Sequence, residues 1–215
     1  MKSAQDRSYR IRGLRVPGVT DVCEILNKPA LNRWRETMGT QAADDAGQFA
    51  AKRGTLIHDA ALLMSQGKAV MPGSDDSLLD RCVANLQGWL STNLVETLLA
   101  ETPVYSTAWM YAGRPDFVGV VRFDGRDRFA VLDWKGSKAT AAYYEWNLQT
   151  AAYAMTDEVR KLAGRHKIYR ATITINPEGD CTPRVWAFDE TPRRQAAFLN
   201  LLSVYNDRRA WEGKP

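Results

Sequence analysis

The order of apolar and polar positions divides the chain into a helical first half and a strand-rich second half. Thr20 is placed to cap a short helix reaching Leu26, and Pro29 stands at the start of another over residues 30–38. From Asp45 to Ser65, Phe49, Leu56, Ile57, Ala60, Ala61 and Met64 recur at helical spacing, until Gly67 and Pro72-Gly73 end the run. A further helix is predicted over 77–99, with Leu79, Val83, Leu86, Leu90 and Leu94 on its buried side. Residues 101–111 are then β-prone, and strands over 116–123 and 129–135 flank Asp124-Gly125-Arg126-Asp127. Residues 139–164 read as one long helix. Residues 169–176 and 184–188 read as strands joined by a Pro177-Glu178-Gly179 turn, and 191–211 as a closing helix. The pattern predicts an α/β fold with a mixed central sheet flanked by helices. It forms one domain: an arm (1–16), a helical portion (17–99), an α/β core (100–190) and a C-terminal helix (191–215).

Composition narrows the setting. The 215 residues are 45% hydrophobic and 25% charged, which suits a soluble globular protein rather than a disordered one. No run approaches the length of a membrane-spanning helix, and residues 1–15 hold no apolar stretch for a secretion signal. Cys23, Cys82 and Cys181 are too few and too scattered for a disulfide framework or a four-cysteine cluster, so a reducing cytoplasm is expected. The net charge of +4 resides wholly in the first fifteen residues, where Lys2, Arg7, Arg10, Arg12 and Arg15 face Asp6 alone. Such an arm suits a polyanion such as nucleic acid, or is a solvated tail. Charge alone leaves both readings open.

The chemistry gathers in the segments Gly113-Arg114-Pro115-Asp116 and Asp133-Trp134-Lys135. Alternation along a strand turns Asp133 and Lys135 to one face and Trp134 to the other. With Gly125-Arg126 as a type II′ turn, Val118 lies opposite Asp133 and Asp116 opposite Lys135. Both carboxylates then share a face on a diagonal of roughly 7–8 Å, and a slip of one residue would undo this. Two carboxylates and a lysine suit a hard divalent ion acting on a phosphate, although an Asp–Lys cross-strand pair is also an ordinary surface feature.

Further candidates lie nearby. His58 follows Gly54 by one helical turn, and the glycine leaves space beside the imidazole. Gln149 and Tyr153 share a helical face with Trp146 and Ala142, and an inward glutamine needs partners such as phosphate, a base or backbone. Tyr143, Tyr144 and Trp146 offer rings for stacking on unpaired bases or for packing. Glu101 opens a strand, as a rim charge or an outer metal ligand.

Taken together, Gly54-x3-His58, Gly113-Arg114-Pro115-Asp116, Asp133-Trp134-Lys135 and Gln149-x3-Tyr153 resemble the PD-(D/E)XK nuclease superfamily, in particular its RecB-like exonuclease branch. Pro17 to Thr20 and Lys28 to Trp34 look like phage-encoded members of that branch, and the resemblance spans about residues 17–155. It implies a restriction-endonuclease-like core and a DNA exonuclease dependent on Mg²⁺ or Mn²⁺, serving recombination, replication or repair. Asp116, Asp133 and Lys135 would be catalytic. His58, Asp116, Asp133, the Trp134 carbonyl and Glu101 would hold metal. Gln149, Tyr153, Tyr144 and Arg114 would contact DNA. A recombination or single-strand-binding protein is an expected partner. A structure-specific or restriction-like endonuclease, and a non-catalytic DNA-binding module, are the alternatives. Gly136-Ser137 departs from the threonine frequent after the lysine, and no P-loop motor motif is present.

Overall fold

Tyr9, Ile11 and Val16 alternate with arginines, and in the computed structural model this alternation folds as a hairpin. Strand β1 (Tyr9–Ile11) pairs antiparallel with β2 (Leu14–Val16), so the arm expected over 1–16 is a folded element from Tyr9 onward. The structure describes residues 8–26, 29–71, 73, 75–136 and 143–213. Lys2, Asp6 and Arg7 of the arm, Pro72 of the predicted helix stop, and the predicted helix start at 139–142 with Ala142 lie outside them.

Helix α1 (Val19–Cys23) starts from Gly18 rather than from Thr20, and α2 (Pro29–Met38) and α3 (Thr40–Ser65) follow. Helix α4 (Ser77–Asn93) is capped by Asp76, whose carboxylate accepts the Leu78 and Leu79 N–H groups. It stops at Asn93, and the segment expected to continue it is a strand, β3 (Leu94–Ala100). Val95 and Thr97 are β-branched, and pairing with a neighbouring strand outweighs the helical spacing of the leucines. The single strand expected over 101–111 is a small hairpin, β4 (Val104–Ser106) with β5 (Tyr111–Gly113).

Strands β6 (Phe117–Phe123) and β7 (Arg126–Gly136) lead to α5 (Tyr144–Tyr153) and α6 (Asp157–Ala163). The long helix predicted here is interrupted at residues 154–156. Glu158 accepts the Tyr105 N–H, and Asp157 accepts the Thr107 N–H and hydroxyl, so the start of α6 is held by the β4 segment. Strand β8 (Tyr169–Ile175), β9 (Thr182–Val185) and α7 (Thr191–Trp211) complete the chain.

The fold is mixed α/β, with a five-stranded sheet ordered β3-β6-β7-β8-β9. Every neighbouring pair is antiparallel except β7 and β8, which the α5–α6 crossover makes parallel. One face of the sheet buries Phe117, Leu132, Trp134 and Ile173 against Ile57 of α3 and Leu86 of α4. The other buries Val118 and Val131 against Leu148 of α5 and Phe198 of α7. Both faces are covered, which is why β7 reads as a continuous apolar run from Phe129 to Leu132 between its charged start and Asp133.

The β6–β7 turn corrects one expectation. Asp124 and Gly125 have φ of 50° and 70°, the backbone of a type I′ turn, and Phe123 pairs with Arg126. The ladder therefore stands two residues from the expected register. A shift of two preserves the faces. Continued one step past Phe117↔Leu132, it sets Asp116 against Asp133 rather than against Lys135.

Candidate metal centre

Two close packings place the site. A Cβ on Gly136 would meet the Ile57 Cδ1 at 2.6 Å, so the glycine lets α3 lie across the end of β7. The residue after Ile57 is His58. Its Nδ1 lies 3.3 Å from Asp116 Oδ1 and 3.5 Å from Glu101 Oε1. Glu101 follows β3 in the left-handed region, at φ 47°, and its N–H donates to the Asp116 carbonyl at 3.3 Å. A non-glycine residue there costs about a kcal/mol or more, and such strain gathers at functional sites. Beside Gly54 the helix surface is open, with nothing within 4 Å of a Cβ built there.

Among the described residues, ligand atoms of His58, Glu101 and Asp116 lie within 4.8 Å of one another, a set able to hold a metal ion. Two carboxylates and one imidazole, all half-buried, suit a hard or borderline divalent cation. Asp133 stands beside this trio. It is 3% exposed, its Oδ1 accepts from Lys135 Nζ at 2.7 Å, and its Oδ2 is buried with no hydrogen-bond partner. A buried carboxylate oxygen left over in this way is a position a cation or an ordered water would satisfy.

Trp134 links the two halves. Its indole is buried against Trp89 and Phe117 on the opposite face. Its backbone N–H donates to Asp116 Oδ2 at 2.7 Å, which fixes that carboxylate with Oδ1 toward His58. The N–H and C=O of one strand residue point the same way, so the Trp134 carbonyl faces the gap left where β6 ends.

The charges brace one another. Burial alone would push the His58 imidazolium down, but Asp116 and Glu101 outweigh it and raise the pKa to about 10. Burial would raise the Asp116 carboxyl, yet His58, Lys135 and the Trp134 N–H hold it below the ordinary carboxylate value. Asp133 goes the other way, pushed up to about 6 by burial, with Lys135 opposing the rise and Asp116 adding to it. Lys135 is raised because Asp133 and Asp116 overcome its own burial. Without a metal, protons and the lysine supply the positive charge that this acidic site requires.

Of the expected DNA contacts, Tyr153 is 5% exposed, its ring packed where a Cβ on Gly113 would lie 2.5 Å from Cε1. It backs the site, close enough to feel Asp116 and Asp133. Gln149 is half-buried one turn before it on α5, and Arg114 is half-buried beside Pro115. Tyr144 is exposed, with the Arg194 guanidinium 5.1 Å from its ring centre, whereas Tyr143 stacks edge-on with buried Trp146.

Two residues escaped the sequence reading. Glu145 shares the α5 face of Gln149 and Tyr153 and acts electrostatically on Lys135. Helical spacing back from Gln149 would have found it. Thr172 is fully buried, pairs in register with Asp133 across β7 and β8, and has an unpartnered hydroxyl. Nothing in a β-branched strand residue signals such a position. No described helix is long and apolar enough to cross a membrane. A scan against protein-family models finds no match, and a search of characterised proteins finds no significant relative.

Proposed function

We propose that the chain is a divalent-metal-dependent deoxyribonuclease, an exonuclease of the RecB-like PD-(D/E)XK branch serving recombination, replication or repair. The observation that carries this reading is a convergence: His58, Glu101, Asp116, Asp133 and Lys135, spread over 78 positions of sequence, meet at one end of the central sheet. The sequence motifs appear in the family's order, and in the central sheet the three antiparallel strands β3, β6 and β7, the α5–α6 crossover and the parallel strand β8 give each a fitting element. Mg²⁺ or Mn²⁺ fits the donor set: His58, Glu101 and Asp116 would hold it, with the orphaned Asp133 oxygen and the Trp134 carbonyl as further donors.

Such an ion supplies Lewis acidity toward a phosphate and lowers the pKa of water. The chain's own residues do the rest. Asp116, pinned by the Trp134 N–H, presents one oxygen in a fixed direction. Lys135, raised in pKa and held against Asp133, is a full cation at neutral pH, placed to offset charge gathering on a phosphate and to orient a water. Asp133 holds the lysine in place and keeps a second oxygen for the ion.

The test is digestion of end-labelled linear DNA beside covalently closed circles, in Mg²⁺, Mn²⁺ or EDTA. Loss of linear DNA alone, dependent on metal and falling at least a hundredfold in Lys135→Ala, is the expected result, since removing a charge-stabilising group costs about that much. Cut circles would establish an endonuclease instead. Undiminished cleavage by Lys135→Ala would overturn the reading.

A further inference from the structure

Arg10 and Arg15 are direct cross-strand partners in the β1–β2 ladder. Like charges set opposite one another destabilise a hairpin, and a two-stranded hairpin has little stability to spare. The tip adds a third cation. Arg12 occupies the left-handed region at φ 51°, beside Gly13 at 81°, so a residue without the freedom of glycine or asparagine is held in a turn position that suits those residues. Among the described residues none of the three arginines has an acidic partner. Arg10 donates only to the Gly13 carbonyl, at 2.9 Å.

This unfavourable face is nonetheless built rigidly. On its other side Tyr9, Ile11 and Val16 are buried against Ala112, with Tyr105 and Met110 packed alongside. The Tyr9 and Tyr105 rings meet edge to face at 6.3 Å, the Ala112 N–H donates to the Pro17 carbonyl at 3.0 Å, and Gly18 bridges to Ala112. The three arginines and Leu14 are left to solvent. The anchorage also fixes where the hairpin stands. Ala112 is four residues before Asp116, and Tyr9 lies near enough to Tyr153, the back wall of the metal centre, to act on it electrostatically.

From this the geometry points to a further binding site: the outer face of residues 9–16 is a preformed clamp for the phosphodiester backbone of nucleic acid, beside the metal centre. The occupant is identified by charge complementarity and by continuity with the catalytic strand. Three guanidiniums with no acidic partner among the described residues, two on the outer face and one at the tip of a small, pinned hairpin, suit a polyanion, and phosphates accept the guanidinium fork in bidentate fashion. The hairpin is anchored on Ala112, four residues before Asp116, so its arginines meet phosphates that flank the one at the metal. This rests on the nuclease reading for the identity of the polyanion, and it adds where the substrate strand runs on leaving the site.

The experiment measures binding of a fluorescent DNA duplex, in Ca²⁺ and across a salt series, for the full chain and for Arg10→Gln/Arg12→Gln/Arg15→Gln. Three lost phosphate contacts lower the slope of log K against log salt by about 2.7 for duplex, or about 2.1 if a single strand is used. Arg15→Glu gives a second reading with opposite signs: it replaces the Arg10–Arg15 repulsion by an attraction, so Tm rises while DNA affinity falls. An unchanged slope in a parent protein that binds and cleaves DNA would overturn the clamp and leave the nuclease intact. A parent protein that neither binds nor cleaves DNA would overturn both. Loss of binding accompanied by a lower Tm in Arg15→Glu would also overturn the clamp, since that face would then serve the fold.

Discussion

Asp133 serves the fold badly and the candidate site well. Burial pushes its carboxyl up to about 6 from an ordinary 3.8, with the Lys135 ammonium opposing the rise and Asp116 adding to it. A carboxyl that holds its proton more tightly in the folded state subtracts stability wherever it is ionised. Its penalty is full above about pH 6 and is relieved as pH falls toward 4. In EDTA at pH 7.5, Asp133→Asn is therefore expected to melt at a higher temperature than the parent while losing cleavage. A lower Tm would mean that the Lys135 pair outweighs the burial cost. His58 has the contrary sign. Its folded pKa of about 10 exceeds the ordinary 6.5, so its contribution is complete below pH 6.5 and is lost as pH climbs through 10. Metal-free melts across that range should fall in the parent and stay flatter in His58→Gln.

At the scale of elements, glycines without a Cβ decide how closely parts approach. Gly113→Ala would drive a methyl into the Tyr153 ring and the Val19 side chain, and is expected to cost about 1–3 kcal/mol in urea unfolding. Gly54→Ala meets nothing within 4 Å and lies inside α3, so it should stabilise by about 0.5–1 kcal/mol. Two such results reversed would show that α1 and α5 are not packed through Gly113. These contacts also explain what the sequence could and could not reveal. Side-chain alternation and helical period exposed most of the helices, β7 and the shared face of Asp133 and Lys135. They failed where pairing partners decided the outcome. Leucines at positions 90, 94 and 98 continue a helical stripe on paper, and only hydrogen bonding to β6 makes β3 a strand. The left-handed backbone of Glu101, the orphaned hydroxyl of Thr172 and the rigid seating of Arg10 and Arg15 are products of tertiary contact. No local pattern announces them.

For the whole molecule, a cation at the candidate site would act as a clasp between layers. His58 belongs to α3 on one face of the sheet, while Asp133 and Lys135 point toward α5 on the other, and Glu101 and Asp116 come from the strand ends between. Mn²⁺ at a hundred times its dissociation constant should add about 2.7 kcal/mol to the stability of the native state, read as a Tm increase in calorimetry. Asp116→Asn should abolish that increase, and a Tm indifferent to Mn²⁺ in the parent would argue against the metal site. The type I′ turn at Asp124-Gly125 has a different consequence. It caps two strands whose other ends carry the acids, about 24 Å away along the seven residues of β6. Its chain direction can be reversed by any short connector that leaves the pleat in phase. A fluorophore, an affinity tag or a surface tether grafted there leaves the far end untouched, and an immobilised molecule would present its acids outward to whatever flows past.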